Sequence, residues 1–193
     1  MLTHTARVLR SQQGKVGRLG SIGVRFMVDS VDTGGTFSLV EHPIPPRKLA
    51  APLHRHSRED EYTYVLGGEI GVLLGDEVVF AAPGDLVFKP HGQWHTFWNA
   101  GTEPALVLEL ISPAGFEGYF EQLSELLAAE GSPPDPAKVA VIADRFGLEL
   151  EPASIPRLCA EHGLTFGRDP DRAAPRPATM AAVRGRIAVW PTD

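Results

Sequence analysis

Between residues 20 and 113 short apolar runs alternate with Gly, Pro and Asp, and this pattern predicts strands at 23–29, 36–41, 62–66, 69–74, 77–81, 86–88, 94–98 and 105–111. The separators Gly67-Gly68, Gly75-Asp76, Pro83-Gly84-Asp85 and Gly101-Thr102 are turn formers. Strands this short, this numerous and this tightly joined predict an antiparallel sandwich or barrel rather than βαβ units. The last of them, ALVLELI, is nearly apolar on both faces, so its outer face is expected to be covered by helices or by a second subunit.

The period then changes. Phe116, Tyr119, Phe120, Leu123, Leu126 and Leu127 form the single stripe of an amphipathic helix, with Ser112 and Pro113 as its expected cap and first-turn pair. A second helix is predicted over 136–146, capped by Asp135, with Val139, Ile142 and Phe146 inward and Gly147 as its stop. A short third one is predicted over 155–162, before Gly163. The expected organisation is a barrel over 1–113, a helical extension over 114–163 and a Pro-, Ala- and Arg-rich tail over 164–193. Within the tail, Ile187-Ala188-Val189-Trp190 has the composition of a pairing or docking segment.

Composition narrows the function classes. The 193 residues carry a formal net charge of −6, a sign that repels phosphate backbones and anionic lipid and argues against nucleic acid or a membrane surface as partner. The 20 glycines and 17 prolines exceed their usual joint share of about 12% and argue against a long helical bundle. A single cysteine, Cys159, excludes an internal disulfide framework or a cysteine-based metal cluster. The first residues lack the apolar stretch of a secretory signal, and no apolar run reaches membrane-spanning length, so a cytoplasmic protein is expected.

The candidate chemistry lies in four histidines of the strand-rich zone: His54, His56, His91 and His95. His54 and His56, two residues apart on an extended strand, face the same side. Glu61 has the wrong parity for a continuous strand, and the polar stretch Ser57-Arg58-Glu59-Asp60 reads as a bulge or turn that resets it. Glu61, Thr63 and Val65 are then expected inward and Tyr62, Tyr64 and Leu66 outward. Three neutral imidazoles with one carboxylate make a nitrogen/oxygen donor set suited to Fe, Mn, Co, Ni, Cu or Zn and poorly to Mg or Ca. Four protein ligands also leave an octahedral ion room for further ligands.

These residues resemble, in kind and spacing, the two motifs of the cupin superfamily, which are small jelly-roll barrels. The first motif, G-x5-H-x-H-x(3,4)-E-x6-G, is met by His54, His56, Glu61 and Gly68. The second, G-x5-P-x-G-x2-H-x3-N, is met by Gly84, Pro90, Gly92, His95 and Asn99. One position departs. The leading glycine of the first motif falls on Lys48, a backbone position, so the departure bears on the local turn rather than on the donors. The helical portion, including SPAGFEGYF after the last core strand, is similar to that of small bacterial single-domain cupins.

The resemblance implies an all-β antiparallel jelly-roll barrel with a small C-terminal helical extension. It further implies that His54, His56, Glu61 and His95 hold one divalent transition metal, and that Asn99 bonds the backbone. By analogy with quercetin 2,3-dioxygenase-like cupins, Glu61 is expected to be both ligand and proton acceptor. The function this suggests is a metal-dependent dioxygenase using O2 on a small aromatic or enolic substrate, in a homodimer. The alternatives are a metal-assisted isomerase, lyase or decarboxylase that does not use O2, and a non-catalytic small-molecule binder or sensor.

Other residues have plainer readings. His91 is expected in an exposed turn, and His4, His42 and His162 show no partner pattern. Glu109 is expected either to face solvent or to stand behind the metal ligands. Phe88, Trp94, Phe97 and Trp98 either line a substrate cavity or fill the core, and Cys159 packs. Arg168, Arg172, Arg176, Arg184 and Arg186 are too few, and too mixed with Asp, for a nucleic-acid stripe.

Overall fold

Alternating burial organises the chain. In one strand Ser38, Val40, His42 and Ile44 are buried while Leu39, Glu41 and Pro43 are half-buried, and four other strands repeat this alternation. The computed structural model describes residues 6–167 apart from 12 and 132. His4, the 187–190 run and the five arginines from Arg168 onward lie outside the described residues.

The elements in chain order are β1 (Val16–Arg18), β2 (Gly23–Val28), α1 (Ser30–Thr33), β3 (Ser38–Ile44), β4 (Leu53–His56), β5 (Asp60–Gly67), β6 (Ile70–Leu74), β7 (Glu77–Ala81), β8 (Leu86–Lys89), β9 (His95–Asn99), β10 (Ala105–Ser112), α2 (Glu117–Glu130), α3 (Pro136–Arg145), β11 (Leu148–Glu151) and α4 (Ser154–His162). The strands form two antiparallel sheets, ordered β1-β2-β3-β10-β5-β8 and β11-β4-β9-β6-β7. This is the mostly-β architecture expected of a jelly roll. The two sheets pack face to face through Val65, Val87 and Val107 of one and Val72, Ala81 and Phe97 of the other. A second apolar cluster, at the other end of the six-stranded sheet, joins Val24, Val40 and Ile111 to Phe116, Tyr119 and Phe120. A third, outside β9, buries Trp98 against Leu49, Leu158 and Leu164, so β9 is buried on both faces.

Two glycines show local constraint. Gly68, the last position of the first motif, has φ +75°, and a Cβ there would stand 2.7 Å from the Ala105 backbone. At Gly71 a methyl group would overlap the Trp98 indole. Lys48, where the motif has glycine, is buried, and its carbonyl accepts from Asn99 N at 3.0 Å. It is absent from the positive-φ residues, so a lysine fits.

The helical part matches the pattern in α3, where the Asp135 side chain accepts from Ala137 N at 2.9 Å, and in α4. It differs in three places. Ser112 is not a helix cap. It pairs with Asp60 as the end of β10, and α2 begins at Glu117 without a side-chain cap bond. Residues 148–151 form a strand, β11, that pairs along β4 opposite both motif histidines. Nor, among the described residues, does a helix pack along the outer face of β10: Leu106, Leu108 and Leu110 are half-buried beside their strand partners Pro43, Leu39, Tyr62 and Tyr64.

Glu117 is the polar pin of this end. Its carboxylate accepts from Ser30 N at 2.8 Å and Gly115 N at 2.7 Å, and these bonds hold its pKa below the usual 4.5 against the opposing effect of burial. A depressed carboxylate contributes stability that is present above its unfolded pKa and lost as pH falls through the folded one. Glu117→Gln is therefore expected to lose about 1.5–3 kcal/mol at pH 7, and to lose less as the pH falls below 4.5. Urea denaturation at the two pH values checks this.

Candidate metal centre

The site forms where the two sheets meet. His54 and His56 both point inward from β4, as their spacing required, and His95 of β9 is paired directly opposite His54. Glu61 comes from β5 in the other sheet, where Glu61, Thr63 and Val65 are buried and Tyr64 is exposed, so the parity reset after His56 is present. One ligand atom from each of His54, His56, Glu61 and His95 lies within 4.8 Å of the others, and all four residues are buried. The cluster can therefore hold a metal ion.

Two further features fit an ion. The Nδ1 atoms of His54 and His95 donate to the carbonyls of Pro52 (2.8 Å) and Gln93 (3.0 Å), which fixes each ring and turns Nε2 toward the cluster. His56 is 1% exposed, and neither of its ring nitrogens has a hydrogen-bond partner, an arrangement that a bound cation would relieve. Burial, with the neighbouring His95 and His56 rings, holds the pKa of His54 well below its usual value, so it is neutral and ready to ligate.

Glu61 sits among cations and imidazoles. Its Oε1 lies 3.4 Å from His56 Nε2, and its Oε2 lies 3.1 Å from His95 Nε2 and 2.7 Å from Lys89 Nζ. Burial alone would raise its pKa, but Lys89 together with His56 and His95 holds it well below the carboxylate range. Lys89 also donates to Glu109, and its ammonium stays charged despite burial.

Lys89 falls outside the strands and donors that the sequence predicts, and Glu59 enters them only as part of a polar turn. The position of Lys89 two residues from inward-facing Val87 was the available signal. For Glu59 no sequence signal existed. It is buried in the turn after His56, with its unpartnered Oε2 3.8 Å from His56 Nδ1. Glu109 does not face solvent; it is buried behind Lys89.

The remaining expectations sort clearly. His91 is exposed and pairs with Asp60 at 2.7 Å, while His162 stacks on Trp98. His42 is buried against Phe120, 3.7 Å from Glu109. Among the aromatics Phe97 and Trp98 are core, whereas Phe88 lies outside, stacked on Tyr62. Phe116 stands against the donors, its ring centre 4.2 Å from that of His56. Asn99 bonds the backbone as implied, donating to Ile44 O at 3.0 Å and Glu103 O at 2.8 Å.

Comparison with known proteins agrees with this architecture. Residues 41–111 match the family model described as the cupin domain. KdgF from a Halomonas species is 21% identical with a TM-score of 0.52, over 59% of this chain and 99% of that one. A protein described as a predicted oxalate decarboxylase, from Thermotoga maritima, is 22% identical with a TM-score of 0.53, over 55% of this chain and 99% of that one. At these identities the likeness shows the fold. No curated protein matches the sequence. The comparisons support a cupin domain and a cupin fold; they do not support the narrower likeness to quercetin dioxygenases. No helix among the described residues is long and apolar enough to cross a membrane.

Proposed function

We propose that the protein is a metal-dependent cupin dioxygenase acting on a small, acidic enolic or aromatic-hydroxyl substrate. The observation that carries this reading is the buried convergence of three imidazoles and one carboxylate on a common point. A divalent transition metal bound there supplies Lewis acidity toward a substrate oxygen and, when redox-active, a route to O2.

The chain's own groups supply the rest. His54 and His95, pinned through Nδ1, present fixed Nε2 donors. Lys89 and Glu109 cancel each other's charge, and the ion with Glu61 leaves one positive charge uncompensated in a buried site, which favours a mono-anionic oxygen ligand. In this reading Glu61 is both a ligand and the acceptor of the substrate proton. Held at low basicity, it matches a hydroxyl that is already acidic. We place the protein in the cytoplasm. We place a second copy on the outer face carrying Leu86 and Phe88, which are 60% and 48% exposed.

One observation favours a different reading, a small-molecule binder without turnover. Lys89 on Glu61 weakens the carboxylate that the dioxygenase reading needs as proton acceptor. Oxygen-electrode measurements on protein loaded with Fe, Mn, Co or Ni, over a panel of flavonol-like and other enols, decide between them. The dioxygenase reading predicts O2 uptake that Glu61→Gln reduces by about 10²-fold or more. Product formed equally without O2 would show isomerase or lyase chemistry instead. Tight binding with no turnover would show a binder.

A further inference from the structure

A polar strip crosses the inner face of the six-stranded sheet. It runs through His42 on β3, Glu109 on β10, Thr63 on β5 and Lys89 on β8, and ends at Glu61, with every member at most 3% exposed. Apolar residues border it on both sides: Ile44, Val107 and Val87 belong to one core cluster, Val40 and Ile111 to the other. Burying charges where an apolar face would pack is unfavourable unless each is paired. Here each is. Glu61 pairs with Lys89 in the strand register, and Thr63 pairs with Glu109.

Two of the three N–H donors of Lys89 are committed to carboxylates. Its ammonium meets Glu61 Oε2 at 2.7 Å, meets Glu109 Oε1, and lies 5.0 Å over the Phe97 ring. The side chain is 1% exposed and both bonds hold its ammonium against carboxylates, so Lys89 acts on the site through Glu61. Glu109 is itself fixed, accepting from Thr63 Oγ1 at 2.7 Å with His42 Nε2 3.7 Å from its other oxygen. His42 is anchored through Nδ1 to Gly23 O at 2.9 Å.

We propose that Lys89, seated on Glu109, is a positioning residue that holds one oxygen of Glu61 and leaves the other for the metal. The proposal rests on the metal-binding reading given above. It explains why the lysine carries its own carboxylate partner. An unneutralised ammonium at this distance would oppose a divalent cation, whereas the Lys89–Glu109 pair adds an oriented donor and no net charge. It also explains the asymmetry of Glu61, whose Oε2 has both Lys89 and His95 while Oε1 has only His56 at 3.4 Å.

Cobalt(II) is the probe. In the wild-type protein, the infrared difference between the Co2+-loaded and metal-free forms is expected to show a carboxylate with a wider splitting of its two stretching bands than a free carboxylate has, the mark of ligation through one oxygen. A narrower splitting, the mark of two-oxygen ligation, overturns the proposal. The variant Lys89→Met/Glu109→Leu removes both buried charges at similar volume, an exchange that buried ion pairs tolerate. It is expected to bind Co2+ with shifted, weaker visible bands and an affinity changed at least fivefold, as Glu61 engages through both oxygens. A folded variant with the wild-type spectrum and affinity overturns the proposal and leaves the metal site standing. Wild-type protein that takes up no Co2+ overturns the metal-binding reading and the proposal with it.

Discussion

Truncating Phe116 to alanine is expected to lower stability by about 3–5 kcal/mol. The ring is 2% exposed and central to an aromatic cluster, with ring centres 5.1 Å from Tyr119, 5.2 Å from Phe120 and 4.2 Å from His56. Its removal opens a cavity in the layer that ties α2 to the sheets, and edge-to-face contacts are lost with the buried area. Since small domains are stable by only about 5–15 kcal/mol, the loss is a large share of the total. Phe80→Ala is the control. Its ring, on β7, is 61% exposed, and its truncation is expected to lose less than about 1 kcal/mol. Urea denaturation of both variants checks the contrast, and equal losses would mean that the Phe116 cluster does not form. Because Phe116 walls His56, the variant is also expected to bind metal more weakly than wild type.

Metal loading is expected to raise the melting temperature, and chelation to reverse the gain. An ion that binds only the folded chain stabilises it by about 4 kcal/mol at a thousandfold excess over its dissociation constant, which for a chain of this length is about 10 °C. His95→Ala removes one of the two donors whose Nδ1 is pinned to a backbone carbonyl, so the gain is expected to vanish in that variant. Loss of the gain in the variant with its retention in wild type ties the effect to the buried donors rather than to surface carboxylates. Differential scanning calorimetry with Co2+ or Mn2+, with and without chelator, reads both.

The donor set was legible because its determinants are local. Two histidines on one strand, a polar turn that resets parity and a tight Pro90-His91-Gly92 turn before His95 can each be read within a few residues. The Lys89–Glu109 support was not, because it depends on which residues of distant strands stand opposite each other: Glu61 with Lys89 and Thr63 with Glu109. Strand β11 escaped for the same reason, since residues 148–151 look unremarkable until they are laid against β4. Ser112 shows the opposite failure. A serine before a proline carries the local signature of a helix start, yet its hydroxyl donates to Thr36 O at 2.9 Å and its backbone belongs to β10. The outer row of β10 is apolar as its sequence shows, and among the described residues its neighbours are strand side chains rather than helices.

Four side chains from two sheets are expected to grip one ion. Elemental analysis of freshly purified protein beside a folded His54→Ala/His95→Ala variant measures this. The expected outcome is a single transition-metal ion per wild-type chain and almost none in the variant; equal metal in both, or none in wild-type protein even after incubation with Fe, Mn, Co, Ni, Cu and Zn, would mean that these side chains hold no ion.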